Sequence, residues 1–195
     1  MVAHSAPGLH HEYDRYLVTA RDHGCKLDYW NGLMLAMAGG TPGHSARSAR
    51  LALILGAQLQ ERCTVYTSDA KIRIRNAEHD VAVYPDVSVV CGPAALADDD
   101  QNGITNPSVI VEVLSPGTED YDRADKLAAY QSLPSVREVM FVSHDTECVE
   151  VVRRQGSEEP WVTVSARSGQ SVRLVSIGCD VAVSSVYVGG AARGL

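Results

Sequence analysis

Two carboxylates interrupt apolar runs that have the pattern of β-strands. Asp86 lies in VAVYPDVSVVCG, and Glu112 lies in SVIVEVL, 26 residues further along the chain. A buried lone carboxylate costs several kcal/mol unless it is paired, hydrogen-bonded or bound to a metal. The spacing leaves room for a loop and a returning strand, so we expect the two acids on neighbouring strands. Such a pair offers the hard oxygen ligands that Mg²⁺ or Mn²⁺ prefers.

Lys126 is the third residue with a position suited to chemistry. It lies in a helix expected over residues 120–133 and shares a helical face with Asp122, four residues earlier. In one interpretation the two form a surface ion pair, which contributes a few tenths of a kcal/mol. In the other, the ammonium points to a metal-bound water or a scissile phosphate and stabilises charge in the transition state. The acids also have a structural interpretation, with Asp86 as a loop contact at a strand end and Glu112 on a solvated face.

The elements that position these residues follow from the hydrophobic pattern. A short helix is expected over HEYDRYLVTARDHG, and Asn31-Gly32, between KLDYW and LMLAMAGG, is a strong hairpin signal. The apolar spacing of TPGHSARSARLALILGAQLQERC predicts the longest helix. Strand-like runs follow, among which SVIVEVL is continuous enough for a central strand. This order predicts an α/β (α+β) domain with a mixed central sheet flanked by helices.

The composition limits the classes of protein that the chain can form. Its 195 residues, 45% hydrophobic, suit a single domain over residues 13–195 after a flexible tail over residues 1–12. No apolar run has the length of a membrane span and the N-terminus lacks an export signal, so we expect a cytoplasmic protein. The five cysteines are widely spaced and form no CxxC pair, so reduced thiols are expected rather than a zinc ribbon or a disulfide framework.

Several other polar residues have both a functional and a structural interpretation. His44, at the start of the long helix, could help helix amides to hold a phosphate or could cap the helix. Asp69 could be a turn residue, which we favour, or an acid just outside the direct ligands of a metal ion. The alternation in KIRIR puts Lys71, Arg73 and Arg75 on one strand face, either as a phosphate-contacting ridge or as the solvated face of an edge strand, which we favour. The acidic run ADDDQN is expected to be a solvated loop.

The combination of motifs resembles one known family. YPDVSVVCGP, followed by PSVIVEVLSPGTEDYDRADKLAAYQSLPSVREVMFVS, is similar to the Uma-two family of restriction-endonuclease-like proteins, within the PD-(D/E)xK nuclease superfamily. KLDYWNGLMLAMAGGTPGHSARSARLALIL is similar to the hairpin, His-containing loop and long helix that open those domains, and VRLVSIGCDVAVSSVYVG to their closing strands. The resemblance covers most of residues 13–188 and implies a restriction-endonuclease-like fold.

The resemblance implies a role for each matching residue. Asp86 matches the Asp of the PD element, and Glu112 matches the acid of the second element. The superfamily lysine would stand two residues after that acid, where this chain has Leu114. In this family the match is Lys126 from the following helix, with Asp122 as the acid before it.

Two secondary candidates come from the N-terminal part of the chain. The family usually has a Glu before the aromatic residue of the hairpin, and this chain has the shorter Asp28 there. His44 matches the histidine of the loop before the long helix.

The activity that the resemblance implies is phosphodiester hydrolysis with Mg²⁺ or Mn²⁺. Asp86 and Glu112 would bind the ion, and Lys126 would assist the attacking water. The expected substrate is nucleic acid, DNA in the first place, and a homodimer would suit cleavage of a duplex. A catalytically inactive binding or interaction module is the alternative, because Leu114 replaces the superfamily lysine and a net charge of −7 opposes binding of a polyanion. A smaller phosphodiester would tolerate the acidic charge better.

Overall fold

The computed structural model of the protein describes residues 11–24, 26–37, 39–156 and 160–187. The α-helices in these ranges are α1 (Tyr13–His23), α2 (Pro42–Leu59), α3 (Glu119–Tyr121), α4 (Leu127–Ser132) and α5 (Val183–Val186). A π-helical turn, Asp122–Lys126, connects α3 to α4. The strands are β1 (Leu27–Trp30), β2 (Leu33–Ala36), β3 (Cys63–Thr67), β4 (Lys71–Arg75), β5 (Asp80–Val83), β6 (Val87–Cys91), β7 (Leu96–Ala97), β8 (Asp100–Ile104), β9 (Val109–Val113), β10 (Glu138–Val142), β11 (Cys148–Arg154), β12 (Trp161–Arg167), β13 (Ser171–Leu174) and β14 (Cys179–Ala182).

Most of these strands belong to two six-stranded sheets. The central sheet has the order β12-β11-β10-β9-β6-β3, in which β9 and β10 are parallel and the other neighbours antiparallel. The second sheet has the order β2-β1-β5-β4-β8-β7, with β4 and β8 as its parallel pair. Strands β13 and β14 pair with each other. The predicted mixed α+β architecture is confirmed, but the second large sheet was not predicted from the hydrophobic pattern.

Strand β9 shows why the central sheet is apolar on both faces. Val109, Val111 and Val113 belong to the core that also contains buried leucines of α2. Ile110 belongs to a second core, which contains residues of the second sheet and of α4. Successive side chains of a strand point to opposite faces. Glu112 therefore lies on the face that packs against the second sheet and α4.

The long helix and the hairpin, which had the strongest local signals in the sequence, are both present in the structure. Helix α2 begins after Thr41, whose side chain accepts a hydrogen bond from the backbone N–H of His44 (3.2 Å), with Pro42 in the first turn. Strands β1 and β2 are joined by Asn31 and Gly32, whose φ angles are 46° and 91°. These left-handed values are those of a tight hairpin turn. The predicted hairpin and long helix are confirmed.

The position of β4 corrects the interpretation of KIRIR. This strand lies between β5 and β8, inside the second sheet rather than at its edge. Lys71 and Arg73 are buried, with Lys71 Nζ 2.5 Å from Asp100 Oδ2 and Arg73 Nη2 2.7 Å from Asp99 Oδ2. Arg75 is exposed. Because Lys71 and Arg73 are buried in ion pairs, neither the solvated edge nor the phosphate-contacting ridge describes them.

The same ion pairs explain why the acidic run is not a solvated loop. The segment contains the last residue of β7 and the start of β8, and Asp100 is buried. Asp69, in contrast, lies in the turn between β3 and β4 as predicted, 2.5 Å from Lys26 Nζ.

Cys63 and Cys91 form a disulfide, so the expectation of reduced thiols is wrong for this pair. The two residues lie directly opposite each other in the antiparallel pairing of β3 with β6. Their separation of 28 residues gave no local signal, because the sheet alone brings them together. Cys148 and Cys179 are free thiols, and Cys25 lies outside the described residues.

Two further expectations concern membrane insertion and the N-terminal tail. In the part of the chain that the structure describes, no helix is long and apolar enough to cross a membrane. Residues 1–10 of the predicted tail lie outside the described residues. At the end of that tail, the backbone N–H of His11 donates a hydrogen bond to the carbonyl of Gly32 (2.9 Å).

Candidate active site

The central sheet brings Asp86 and Glu112 together. Asp86 directly precedes β6, and Glu112 is the fourth residue of β9. In the antiparallel pairing of these strands Val87 lies opposite Val111, and the same register places Asp86 opposite Glu112. Directly opposed residues share one face of a sheet. The two carboxylates therefore lie side by side, as the spacing in the sequence suggested.

Asp86 is held by a backbone amide and by a histidine. Its Oδ2 accepts a hydrogen bond from the N–H of Val113 (2.8 Å) and lies 3.2 Å from Nε2 of His44. The hydrogen bond to Asp86 raises the pKa of His44, although partial burial acts in the opposite direction. His44 is thus a partner of Asp86 as well as a residue of the first turn of α2.

Glu112 is buried and has two side-chain partners. Its Oε1 accepts a hydrogen bond from the hydroxyl of Tyr130 (2.6 Å) and another from Nζ of Lys126 (3.2 Å). Burial raises the pKa of Glu112; Lys126 opposes this shift, whereas the nearby carboxylates of Asp122 and Asp86 add to it. The protein thus holds a carboxyl group where its ionised form is costly.

Lys126 enters the site from the π-helical turn. Its Nζ lies 3.0 Å from Oδ1 of Asp122 and 3.2 Å from Oε1 of Glu112, and all three side chains are buried. The predicted pair with Asp122 exists, but it is buried and shared with Glu112 rather than exposed. Burial alone would lower the pKa of Lys126, yet the surrounding carboxylates raise it well above its usual value. The lysine therefore stays charged. Single π-helical turns within α-helices often occur at functional sites.

Asp28 belongs to the same electrostatic cluster. It lies on β1, is buried, and its Oδ1 accepts a hydrogen bond from the N–H of Tyr84 (3.2 Å). Burial raises the pKa of Asp28 to about 6, against the opposing effect of Lys126, and Asp122 contributes to the rise. Although Asp28 has a shorter side chain than the Glu usual in the family, it still interacts with Lys126.

The charges of the cluster do not balance. The carboxyl groups of Asp28, Glu112 and Asp122 all interact with the single ammonium of Lys126. Asp86 has only His44 as a cationic partner within 4.0 Å in the described ranges. Carboxylates held together at low dielectric disfavour their common ionisation. The site therefore favours a proton or an added cation.

The donor set fits a divalent ion that keeps most of its water. Within the described residues, no group of three or more His, Cys, Asp or Glu is arranged to hold a metal ion, which argues against a closed structural site. Mg²⁺ is commonly bound through one or two carboxylates, with water and substrate oxygens completing its shell. The opposed pair Asp86 and Glu112 and the surplus of negative charge fit such an ion.

Sequence reasoning missed two tyrosines of the site. Tyr130 bonds to Glu112 and follows Lys126 by four residues, so helical spacing could have found it. Tyr121 immediately precedes the π-helical turn, and its pKa is raised by burial and by the charge of Asp28. No local pattern marks Tyr121, because its neighbours come from β1, β9 and the turn.

Comparison with a solved structure supports the fold class. The fold is similar to the crystal structure of "a putative nuclease belonging to DUF820" from Anabaena variabilis, with a TM-score of 0.68 and 14% sequence identity. The similarity covers 84% of this chain and 90% of that one. The predicted nuclease-like fold is thereby confirmed.

Comparison of sequences then places the chain in a family. The Uma2 family model, described as "Putative restriction endonuclease", matches residues 11–183. The uncharacterized protein slr1290 of Synechocystis sp. is 33% identical over 192 residues, which cover 97% of this chain and 98% of that protein. The uncharacterized protein sll1609 of the same organism is 27% identical over 69% of this chain and 75% of its own length. The chain belongs to the Uma2 family.

Proposed function

We propose that this protein is a metal-dependent nuclease that hydrolyses phosphodiester bonds in nucleic acid. The observation that carries the proposal is the convergence of Asp86, Glu112 and Lys126 at one end of the central sheet. Membership of the Uma2 family, described as "Putative restriction endonuclease", supports the same reaction. DNA is the first substrate to test, with RNA in parallel.

The proposed role of the two opposed carboxylates is to hold Mg²⁺ or Mn²⁺. Such an ion, when bound, polarises a phosphoryl oxygen and lowers the pKa of its water. The backbone N–H of Val113 and the imidazole of His44 fix the orientation of Asp86. The hydroxyl of Tyr130 fixes Glu112. These contacts support a pre-formed pair of carboxylates.

The proposed role of Lys126 is electrostatic. Hydrolysis of a phosphodiester adds negative charge to the phosphoryl oxygens as a water oxygen bonds to phosphorus and the ester bond breaks. A fixed ammonium in a buried site stabilises that charge much more than a solvated one does. Asp122 and Glu112 hold Nζ at 3.0 Å and 3.2 Å, so the group is positioned before substrate binds.

The experiment measures metal binding and cleavage separately. Mn²⁺ binding is followed by calorimetry, and cleavage of labelled DNA and RNA is followed with Mg²⁺, for the parent chain and for Asp86→Asn, Glu112→Gln and Lys126→Gln. We expect both acid variants to lose metal binding. We expect Lys126→Gln to retain it, while cleavage falls by about a hundred- to a thousandfold, the effect of removing one group that stabilises transition-state charge.

Asp120→Asn is the matched control, because Asp120 is an exposed acid of α3, outside the cluster. This variant should bind Mn²⁺ and cleave like the parent, and circular dichroism checks that every variant is folded. A parent chain that binds no metal at millimolar concentration would contradict the proposal.

The second candidate function is a non-catalytic binding or interaction module. Two observations favour it: Glu112 Oε1 already has two protein partners, and the net charge is −7. Proteins that bind nucleic acid through charge are usually basic. Binding of an oligonucleotide without metal uptake and without cleavage would select this alternative.

A further inference from the structure

Tyr121 carries a hydroxyl whose oxygen is buried beside the candidate active site. This residue ends α3, immediately before the π-helical turn. Its Oη is buried and has no hydrogen-bond partner among the described residues. Leaving a buried polar group unpaired lowers the stability of a fold, so such groups are rare unless they have another use.

The ring of Tyr121 is held in place by packing. Its centroid lies 5.3 Å from that of Trp30 in an edge-to-face arrangement, and Lys126 Nζ lies 5.5 Å from it. Trp30 and Asp28 are two residues apart on β1, so they share a face of that strand. The same strand face thus supplies an acid of the cluster and the aromatic ring that packs on Tyr121.

The hydroxyl lies in the field of the candidate active site. The charges that act on it are those of Asp28, Lys126, Glu112 and Asp122. Burial raises the pKa of Tyr121 far above its usual value, and the carboxylates add to the shift. The phenol therefore keeps its proton at any physiological pH, and it can donate a hydrogen bond but is a poor acid.

None of the cluster's carboxyl oxygens, those of Asp122 included, accepts a hydrogen bond from this hydroxyl in the described part of the chain. Glu112 is bonded by Tyr130 and Lys126, and Asp28 accepts from the N–H of Tyr84. A phosphoryl oxygen that comes to Lys126 would supply the missing acceptor, because it is anionic and the ammonium attracts it.

We propose that the Tyr121 hydroxyl is a substrate contact that donates a hydrogen bond to a non-bridging oxygen of the phosphodiester group bound beside Lys126. This inference rests on the proposed nuclease function and adds a residue to it. The packing of Trp30 against the ring fixes the orientation of the ring that carries the hydroxyl, so the donor is positioned by the fold.

Tyr121→Phe tests the proposal, because it removes the hydroxyl and keeps the ring against Trp30. The kinetics of cleavage are measured with Mg²⁺ on fluorescein-labelled DNA and RNA oligonucleotides of one sequence, and the denaturant midpoint is measured in parallel. We expect kcat/KM to fall by about ten- to a hundredfold, the range for a hydrogen bond to a charged group. We expect the denaturant midpoint to stay unchanged or to rise, because an unpaired polar group has been removed.

Tyr13→Phe is the matched control with the opposite expectation. The hydroxyl of Tyr13 donates a hydrogen bond to Oδ2 of Asp100 (2.7 Å) in the second sheet, so its loss should lower the denaturant midpoint. The kcat/KM of the folded fraction should equal that of the parent, since Asp100 is paired with Lys71 and not with the cluster.

Each outcome separates the two proposals. If the parent cleaves and Tyr121→Phe cleaves equally well, the substrate contact is wrong while the nuclease function stands. If Tyr121→Phe lowers the denaturant midpoint as Tyr13→Phe does, the hydroxyl is structural and the inference is overturned. If the folded parent neither binds Mn²⁺ nor cleaves either oligonucleotide, the nuclease function is wrong and this contact with it.

Discussion

Two clusters of buried charged side chains in the described residues, one in the second sheet and one in the candidate active site, differ in their balance of charge. In the second sheet, Lys71 pairs with Asp100, and Arg73 pairs with Asp99 and with the half-buried Asp80. Each of the more deeply buried carboxylates there has its own cation. In the candidate active site, three carboxyl groups interact with one lysine. The first arrangement is neutralised by the chain itself, whereas the second is left acidic.

The carboxyl groups of the two clusters have pKa values shifted in opposite directions, lowered in the second sheet and raised in the candidate active site. The hydrogen bond from Arg73 lowers the pKa of Asp99. Burial alone would raise the pKa of Asp100, but Lys71 and Tyr13 hold it below its usual value. In the site, burial raises the pKa of Asp28 to about 6. Carboxyl groups whose pKa is raised by burial, such as that of Asp28, are characteristic of functional sites, because burying them does not stabilise the fold.

The largest expected effect on stability comes from removing Arg73, the central cation of the balanced cluster in the second sheet. Arg73 is 1% exposed, and its guanidinium also donates a hydrogen bond to the carbonyl of Val81 (3.1 Å). Arg73→Met leaves Asp99 without its main partner, so we expect the free energy of unfolding to fall by about 3 kcal/mol. Urea denaturation measures this. Cleavage per folded molecule should not change, because the cluster of the second sheet is separate from the site.

Arg75→Met is the control on the same strand. Arg75 also contacts Asp99 (3.2 Å) but its side chain is 69% exposed, so its loss should cost less than about 1 kcal/mol. Equal losses for the two variants would contradict the description of Arg73 as the buried centre of this cluster.

The sequence predicted that Asp86 and Glu112 lie on neighbouring strands, which the register confirms, but it did not predict the arrangement of the two sheets. Asp86 and Glu112 stand out because carboxylates are rare in apolar strands, and their spacing was compatible with strand pairing. That signal alone is not specific. Glu138, in EVMFV, is also fully buried in the central sheet, yet it bonds to Arg153 Nε (2.7 Å) and to backbone amides. Its strand register places it opposite Val109, away from Glu112.

The features that sequence reasoning missed are those that depend on distant pairing. The burial of Lys71 and Arg73 depends on β8 joining β4, and the disulfide depends on β6 joining β3. Neither pairing leaves a local periodicity. The π-helical turn was also not predicted, because the shift that one extra residue causes in the helical spacing cannot be recognised over five residues.

The pH dependence of stability sharpens the comparison, since the two clusters should respond with opposite sign. The pKa of Asp28 is raised, so the native state holds a proton that the unfolded chain releases between about pH 4 and 6. Stability from this group is present at low pH and is lost as the pH rises through about 6. Asp28→Asn should therefore be more stable than the parent by about 2–3 kcal/mol above pH 6 and equal to it near pH 4. Urea denaturation across this range measures the difference.

For Asp100→Asn, we expect the difference in stability from the parent to depend on pH in the opposite direction. The pKa of Asp100 is lowered, so its contribution is present above about pH 4 and is lost as the pH falls through the native value. This variant should be less stable than the parent at neutral pH, and the gap should close in acid. A difference between parent and Asp28→Asn that does not vary with pH would refute the account of the acidic cluster.

The smallest expected effect concerns the contact between His44 and Asp86. A Cβ at Gly40 would lie 2.7 Å from Nδ1 of His44, so Gly40→Ala must displace the imidazole, whereas a Cβ at Gly39 meets nothing within 4 Å. With His44 displaced, its pKa should fall toward the usual value, and Mn²⁺ affinity should drop by less than about tenfold, because Asp86 keeps its bond from Val113. NMR titration of the His44 ring and calorimetry measure the two quantities, with Gly39→Ala as the control. An unchanged His44 titration in Gly40→Ala would mean that the hydrogen bond to Asp86 does not set its pKa, and the imidazole would then lose its proposed role in orienting that carboxylate.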